Sequence, residues 1–354
     1  MIQKAGILIT VLLLIGAGLF AMNGKRVVEY SSQQFLMDTL VTIKVYGKDR
    51  EQLRSAVNEA FAEMRHIAEL SDRFPKPGSP AFLASDVCKI NQMAGKQPVH
   101  VQPDTLAMLA MAQHYAELTG GAFDSTIGPV MDLWSFGSDT PSVPNPSSVQ
   151  KALALVDWRA VVLDQVAGTV YLKKPGMKLD LGAVAKGYAT EKASRLLQQR
   201  GIVSGLLDAG GNIRTIGINT AHKPWKIGIK DPRMAGKLAA VVTVQDASAV
   251  TSGDYYRSFE QDGLRYHHLI NPHTGYPARH TRSSTVLTKD AGVADILSTA
   301  FFILPPDQAL QLAEKLDGVD LVLITADGAL RYTRPLQNRI IQENATGQPD
   351  DQRR

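Results

Sequence analysis

Three β-rich runs in the second half of the chain each break off into a glycine turn with polar neighbours: "KLDLGAVAKG", "LLDAGGN" and "AVTSGDYY". Glycine reaches backbone conformations closed to other residues and lets a second backbone or a ligand come close. Singly, each stretch reads as an ordinary turn. Together, three such turns at strand ends predict backbone N–H groups gathered around a ligand, with Asp208, Asn212, Thr251 and Ser252 as polar groups beside them. Helical patterns lie between and around these strands without a regular β-α-β alternation, which predicts an α+β fold with an antiparallel component.

Elsewhere the periodicity predicts a strand over Leu40–Tyr46 and a helix over "EQLRSAVNEAFAEMRHIAELSDRF". An exposed loop at "RFPKPGSPAFLAS" follows, then a helix from Asp104 to Thr119 capped at "QPDT". Further on, the pattern predicts a strand ending at "KLDLG", a helix from Val184 to Arg200 and another over "DAGVADILSTAFFIL". The Pro/Ser-rich segment 138–148 is the best candidate junction between subdomains. The expected organisation is a signal sequence or anchor over 1–26, one large domain over 27–340 and a polar tail over 341–354.

The apolar content of 44% suits a sizeable core. The net charge of +4 is spread without long basic runs, which argues against a nucleic-acid partner. A single cysteine, Cys88, excludes an intramolecular disulfide and multi-cysteine metal sites. At the N-terminus Lys4 precedes an uncharged apolar run from Ala5 to Met22, closed by Lys25 and Arg26. Leu19 and Phe20 spoil the nearest small-residue cleavage sites, so an uncleaved membrane anchor is expected over a cleaved signal.

Two stretches carry candidate chemistry. Lys186 falls in the first turn of a helix that follows Gly182, a position suited to phosphate, although the spacing matches no standard phosphate loop. Asp295 and Thr299 stand four residues apart on one apolar helix face, with Ser298 beside them. A carboxylate and a hydroxyl there need partners: a neighbouring loop, or a hard cation such as Mg²⁺. Half of the eight histidines, His267, His268, His273 and His280, crowd one loop. Their spacing fits no zinc motif, and the loop displays imidazoles rather than coordinating a metal.

Taken in order, "FLMDT", "GGAFDSTIGPVMDLWSFG", "LDLGAVAKGYA", "LDAGGNI", "TSGDYYR", "HHLINPHTGYPA" and "ADILSTAFF" resemble the ApbE family of FAD:protein FMN transferases over roughly residues 33 to 335. The resemblance implies a T-fold-like α+β domain of mixed sheets with packed helices, binding FAD and Mg²⁺. It implies transfer of the FMN moiety to a threonine or serine hydroxyl of a partner flavoprotein, with release of AMP. Carried over residue by residue, it implies FAD contacts at Met37, Phe74, Ala122, Phe123, Asp124, Asp180, Lys186 and Ile270. Mg²⁺ would be held by the Ala183 carbonyl and the side chains of Asp295 and Thr299. His268, in the matching position of the family's histidine motif, is the candidate for deprotonating the acceptor, and the remaining histidines are expected at the loop surface or on the ligand. Exported relatives place the domain on the outer side of the bacterial cytoplasmic membrane, anchored by the N-terminal segment, or free of it if that segment is cleaved. Two other readings share these residues: hydrolysis of FAD to FMN and AMP, and a tethered flavin carrier without catalysis.

Overall fold

The computed structural model describes residues 27–137 and 140–342. The expected N-terminal anchor lies outside the described residues, among which no helix is long and apolar enough to cross a membrane.

The framework is an eight-stranded sheet of β1 (Val28–Leu36), β2 (Thr39–Gly47), β3 (Ser204–Ala209), β4 (Asn212–Gly217), β5 (Ser248–Gly253), β6 (Thr281–Thr288), β7 (Asp320–Thr325) and β8 (Leu330–Tyr332). The strands lie side by side in chain order and each neighbouring pair is antiparallel. The α+β class is as expected. The sheets are antiparallel rather than mixed, because successive strands of the framework pair directly and the helices enter as insertions between them. Among the described residues, the only parallel pairing is one bridge, Ile127 to Lys178.

One face of the sheet carries the helices α1 (Arg50–Ser71), α2 (Ala185–Gln199) and α3 (Ala291–Ile303), and the helix Pro306–Lys315 joins them beside β7. In β2 the two-residue alternation turns Val41, Ile43 and Val45 inward. They meet Leu53, Val57, Phe61 and Met64, which recur along one side of α1 at helical spacing. The N-terminus of α1 is capped by Asp49, whose carboxylate accepts from Glu51 N and Gln52 N. Helix α3 is apolar on nearly every side and is accordingly the core helix, packed on Val250, Val286, Leu321 and Leu323. The alternate residues Ala249, Leu287, Val322 and Ile324 face a three-stranded sheet of Trp225–Lys230, Leu238–Val244 and Ile340–Gln342. The middle of the main sheet is therefore buried on both faces. The largest core cluster draws on residues before and after the segment 138–148.

Three local expectations change. No strand ends at "KLDLG": the Leu179 backbone is instead held by the Asn91 side chain, at 2.6 and 3.1 Å, and Asp180 N donates to Ser125 O. The loop at 73–85 contains a helical turn, Pro80–Ala84, because Ser79 caps it and proline at the first position costs no hydrogen bond. The helix Pro103–Leu118 has no side-chain cap. Asp104 turns to Tyr188 OH and Lys192 Nζ of α2 instead, at 2.7 and 2.9 Å.

Candidate active site

A cavity of about 560 Å³ opens where the turns between β1 and β2 and between β3 and β4, the end of β5, the start of α2 and one side of α3 converge. Along α3 the lining residues are Asp295, Thr299 and Ile303, each one turn from the next. Their position depends on how closely α2 approaches α3. At Gly187 an added Cβ would lie 2.2 Å from Ala291 O and 2.6 Å from Asp295 Cβ. Only glycine permits this crossing, and it lets Gly187 N donate to Asp295 Oδ2 at 2.9 Å. One turn further along α2, Glu191 accepts from Ala291 N at the start of α3 and pairs with the buried Arg214.

Asp295 is buried, which pushes its pKa up, while the nearby Lys186 charge and the Gly187 N–H act in the opposite direction. Among the described residues its Oδ1 has no hydrogen-bond partner. Ser252 Oγ lies 2.8 Å from Ser298 Oγ and 3.3 Å from Thr299 Oγ1, so the end of β5 and α3 share a hydroxyl seam at the cavity wall. Lys186 Nζ donates to Gly182 O at 2.9 Å, and Ala183 lines the cavity beside them.

His268 donates from Nδ1 to Tyr256 O at 3.2 Å, which leaves Nε2 as the acceptor nitrogen. Burial, then the positive charge of Arg257, holds its pKa down to about 3, so the imidazole is neutral at ordinary pH. Arg257 also reaches Asp38 at 3.0 Å, tying this loop to the β1–β2 turn. That turn holds Met37 and Asp38 at φ of 52° and 58°, a left-handed conformation that non-glycine residues adopt at a cost of about 1–3 kcal/mol each.

Met37, Ala122, Phe123, Asp124, Asp180, Ala183, Lys186, His268, Ile270, Asp295 and Thr299 all line this one cavity. Phe74 does not: it is 72% exposed and packs against the Arg73 guanidinium. Arg73 turns inward instead, to Asp132 and to Asp180 Oδ2 at 3.1 Å, so the Asp180 carboxylate already has a cation. The Asp124 carboxylate is also engaged locally, accepting from Thr126 N, Thr126 Oγ1 and Trp158 N. His267 departs from the expected surface role. It is 3% exposed, bonds Ala278 O through Nε2 and braces the loop from within the core. His273 and His280 are exposed.

The lining also contains Thr39, Lys230, Tyr256 and Arg257, which sequence reasoning did not single out. Tyr256 and Arg257 lie in the quoted "TSGDYYR" motif. Thr39 closes the motif "FLMDT", whereas Lys230 lies in none of these motifs and enters through strand pairing alone.

A sequence model of the ApbE family matches residues 37–323. The FAD:protein FMN transferase of Treponema pallidum (strain Nichols) is 36% identical, over 95% of each chain. That of Klebsiella pneumoniae (strain 342) is 32% identical, over 90% of this chain and 95% of the relative. Among solved structures, the ApbE protein of Thermotoga maritima superposes with a TM-score of 0.81 at 32% identity, covering 88% of this chain and 99% of that one. The flavin transferase ApbE of Vibrio cholerae gives 0.77 at 25% identity, covering 89% and 100%. With all the expected residues but Phe74 gathered in one cavity and these likenesses spanning nearly all of the described chain, this protein belongs to the ApbE family.

Proposed function

We propose that this chain is a transferase that moves the FMN moiety of FAD onto a threonine or serine hydroxyl of a partner flavoprotein, releasing AMP. The observation that carries the reading is the convergence of Asp295, Thr299, the Ala183 backbone and the free Nε2 of His268 on one cavity. The named relatives support the same chemistry.

In the reaction the acceptor oxygen bonds to the phosphorus on the flavin side of the diphosphate, the bridging P–O bond breaks, and AMP leaves with the bridging oxygen. His268 Nε2 takes the hydroxyl proton. Burial keeps this imidazole neutral and able to accept, and the incoming diphosphate charge raises its proton affinity. Lys186 adds positive charge where the phosphates enter.

The donor set of a carboxylate, a hydroxyl and a carbonyl is all hard oxygen and fits Mg²⁺. Asp295 Oδ1, Thr299 Oγ1 and the Ala183 carbonyl would hold the ion. When bound, it would offset the diphosphate charge and the charge developing on the leaving AMP. The free Oδ1 of a buried carboxylate is what the cation would satisfy.

Incubating the full-length chain with FAD, Mg²⁺ and a candidate acceptor and weighing the acceptor tests the reading. A mass gain equal to one FMN moiety supports transfer, whereas free FMN with an unmodified acceptor would replace it by hydrolysis. The apolar run Ala5–Met22 would hold the domain on the exported face of the cytoplasmic membrane. Recovery of the protein in the cytosolic fraction would refute that placement.

A further inference from the structure

Asn212 opens β4 directly after the Gly210–Gly211 turn and lines the cavity. The residue is 2% exposed, and among the described residues neither its amide Nδ2 nor its Oδ1 has a hydrogen-bond partner. Other buried side chains also lack partners, such as Ser194, Ser248, Ser283 and Ser284, yet among the described residues Asn212 alone of this group lines the cavity. A buried donor and acceptor left unpaired are each costly. Native structures keep such groups where water or a ligand completes the pairing.

The backbone around Asn212 leaves little room for it to seek a partner elsewhere. Asn212 pairs with Val250 of β5, Gly211 N donates to Asp208 Oδ1 at 2.9 Å, and Thr251 N donates to Gly211 O at 3.1 Å. Gly210 packs closely on the start of β2, where an added Cβ would lie 2.2 Å from Thr39 Oγ1.

We infer that Asn212 reads a heteroaromatic edge of the bound dinucleotide, its Nδ2 donating to a ring acceptor while its Oδ1 accepts from the adjacent N–H. This rests on the flavin-transfer reading above. A carboxamide presents one donor and one acceptor side by side, as it does when it pairs with adenine. The flavin pyrimidine, with a carbonyl beside an imide N–H, offers the same complement. A phosphate would satisfy Nδ2 only and leave Oδ1 unpaired. A ribityl hydroxyl could meet either atom, since it both donates and accepts.

The test measures dissociation constants of FAD, FMN and ADP for the full-length wild-type chain and for Asn212→Leu and Asn212→Asp, alongside thermal melting without ligand. Asn212→Leu removes both orphan atoms at similar volume, so the ligand-free protein should melt no lower than wild type while FAD binding weakens about 10- to 100-fold. Asn212→Asp should weaken FAD binding at least as much, because a carboxylate cannot donate to a ring acceptor. A parallel loss for FMN with ADP unchanged assigns the flavin edge, and the converse assigns adenine. Retention of wild-type FAD affinity by Asn212→Asp would overturn the inference, since a ribityl hydroxyl tolerates that change. So would a lower melting temperature of Asn212→Leu with unchanged FAD affinity, which would make Asn212 a structural residue. Failure of the wild-type chain to bind FAD would overturn the functional reading itself.

Discussion

Replacing Gly187 by alanine tests whether the close crossing of α2 and α3 builds the site. In an open helix the change would stabilise the protein by about 1 kcal/mol, because alanine is the better helix former. Here the new Cβ meets Ala291 O at 2.2 Å and Asp295 Cβ at 2.6 Å, neither of which can rotate away. Ordinary contact begins near 3.4 Å. The helices must therefore part by about 1 Å, the scale on which misplaced reacting groups lose about 10²-fold in rate. The same movement lengthens the 2.9 Å bond from Gly187 N to Asp295 Oδ2 beyond hydrogen-bonding distance. Overpacking of this kind costs about 1–3 kcal/mol. Urea unfolding should show a net loss of that order despite the gain in propensity, and the transfer rate should fall about 100-fold. The magnesium dependence should move to higher concentration. Gly228→Ala is the control, since it lies away from the cavity in the strand Trp225–Lys230 and its Cβ meets only the end of the Leu238 side chain. A Gly187→Ala protein as stable and as active as wild type would refute the argument.

Three further outcomes follow from the same geometry. Asp295→Asn keeps the shape but removes the anionic oxygen on which Mg²⁺ affinity depends; transfer should fall by orders of magnitude while FAD binding, read by flavin fluorescence, weakens less. A wild-type magnesium titration would contradict that role. His268→Ala should slow single-turnover transfer about 10²- to 10⁴-fold with FAD affinity nearly intact; parallel loss of both would make it a binding residue. For His267, burial lowers the pKa from 6.5 to about 4, so the folded state holds the neutral ring while the unfolded chain takes up a proton. Its contribution is complete above about pH 6.5 and is lost as pH falls toward 4, amounting to about 3 kcal/mol. Urea midpoints measured across that window should fall more steeply for wild type than for His267→Asn, and identical slopes would argue against it.

The one-turn spacing of Asp295 and Thr299 was legible because helical periodicity is a local property, and the glycine turns marked Asp208, Asn212, Thr251 and Ser252 for the same reason. The alternation in β2 and the apolar stripe of α1 likewise revealed the elements of the core. Pairing between distant segments was not legible. Whether Gly187 was a helix defect or a crossing point depended on Ala291, far along the chain and brought close only by packing on the sheet. Apart from the family motif that marks His268, nothing local distinguished it from His267, adjacent imidazoles of which one braces the core and the other faces the cavity; the path of the chain leaving the strand Leu264–His267 decided that. Phe74 lies outside the cavity because Arg73 found Asp132 and Asp180 across the fold and left the ring exposed, which its sequence neighbourhood did not reveal. Sequence determined which residues could do chemistry through their type and local spacing. Tertiary structure decided which of them meet, because burial and strand register join residues with no short-range relation.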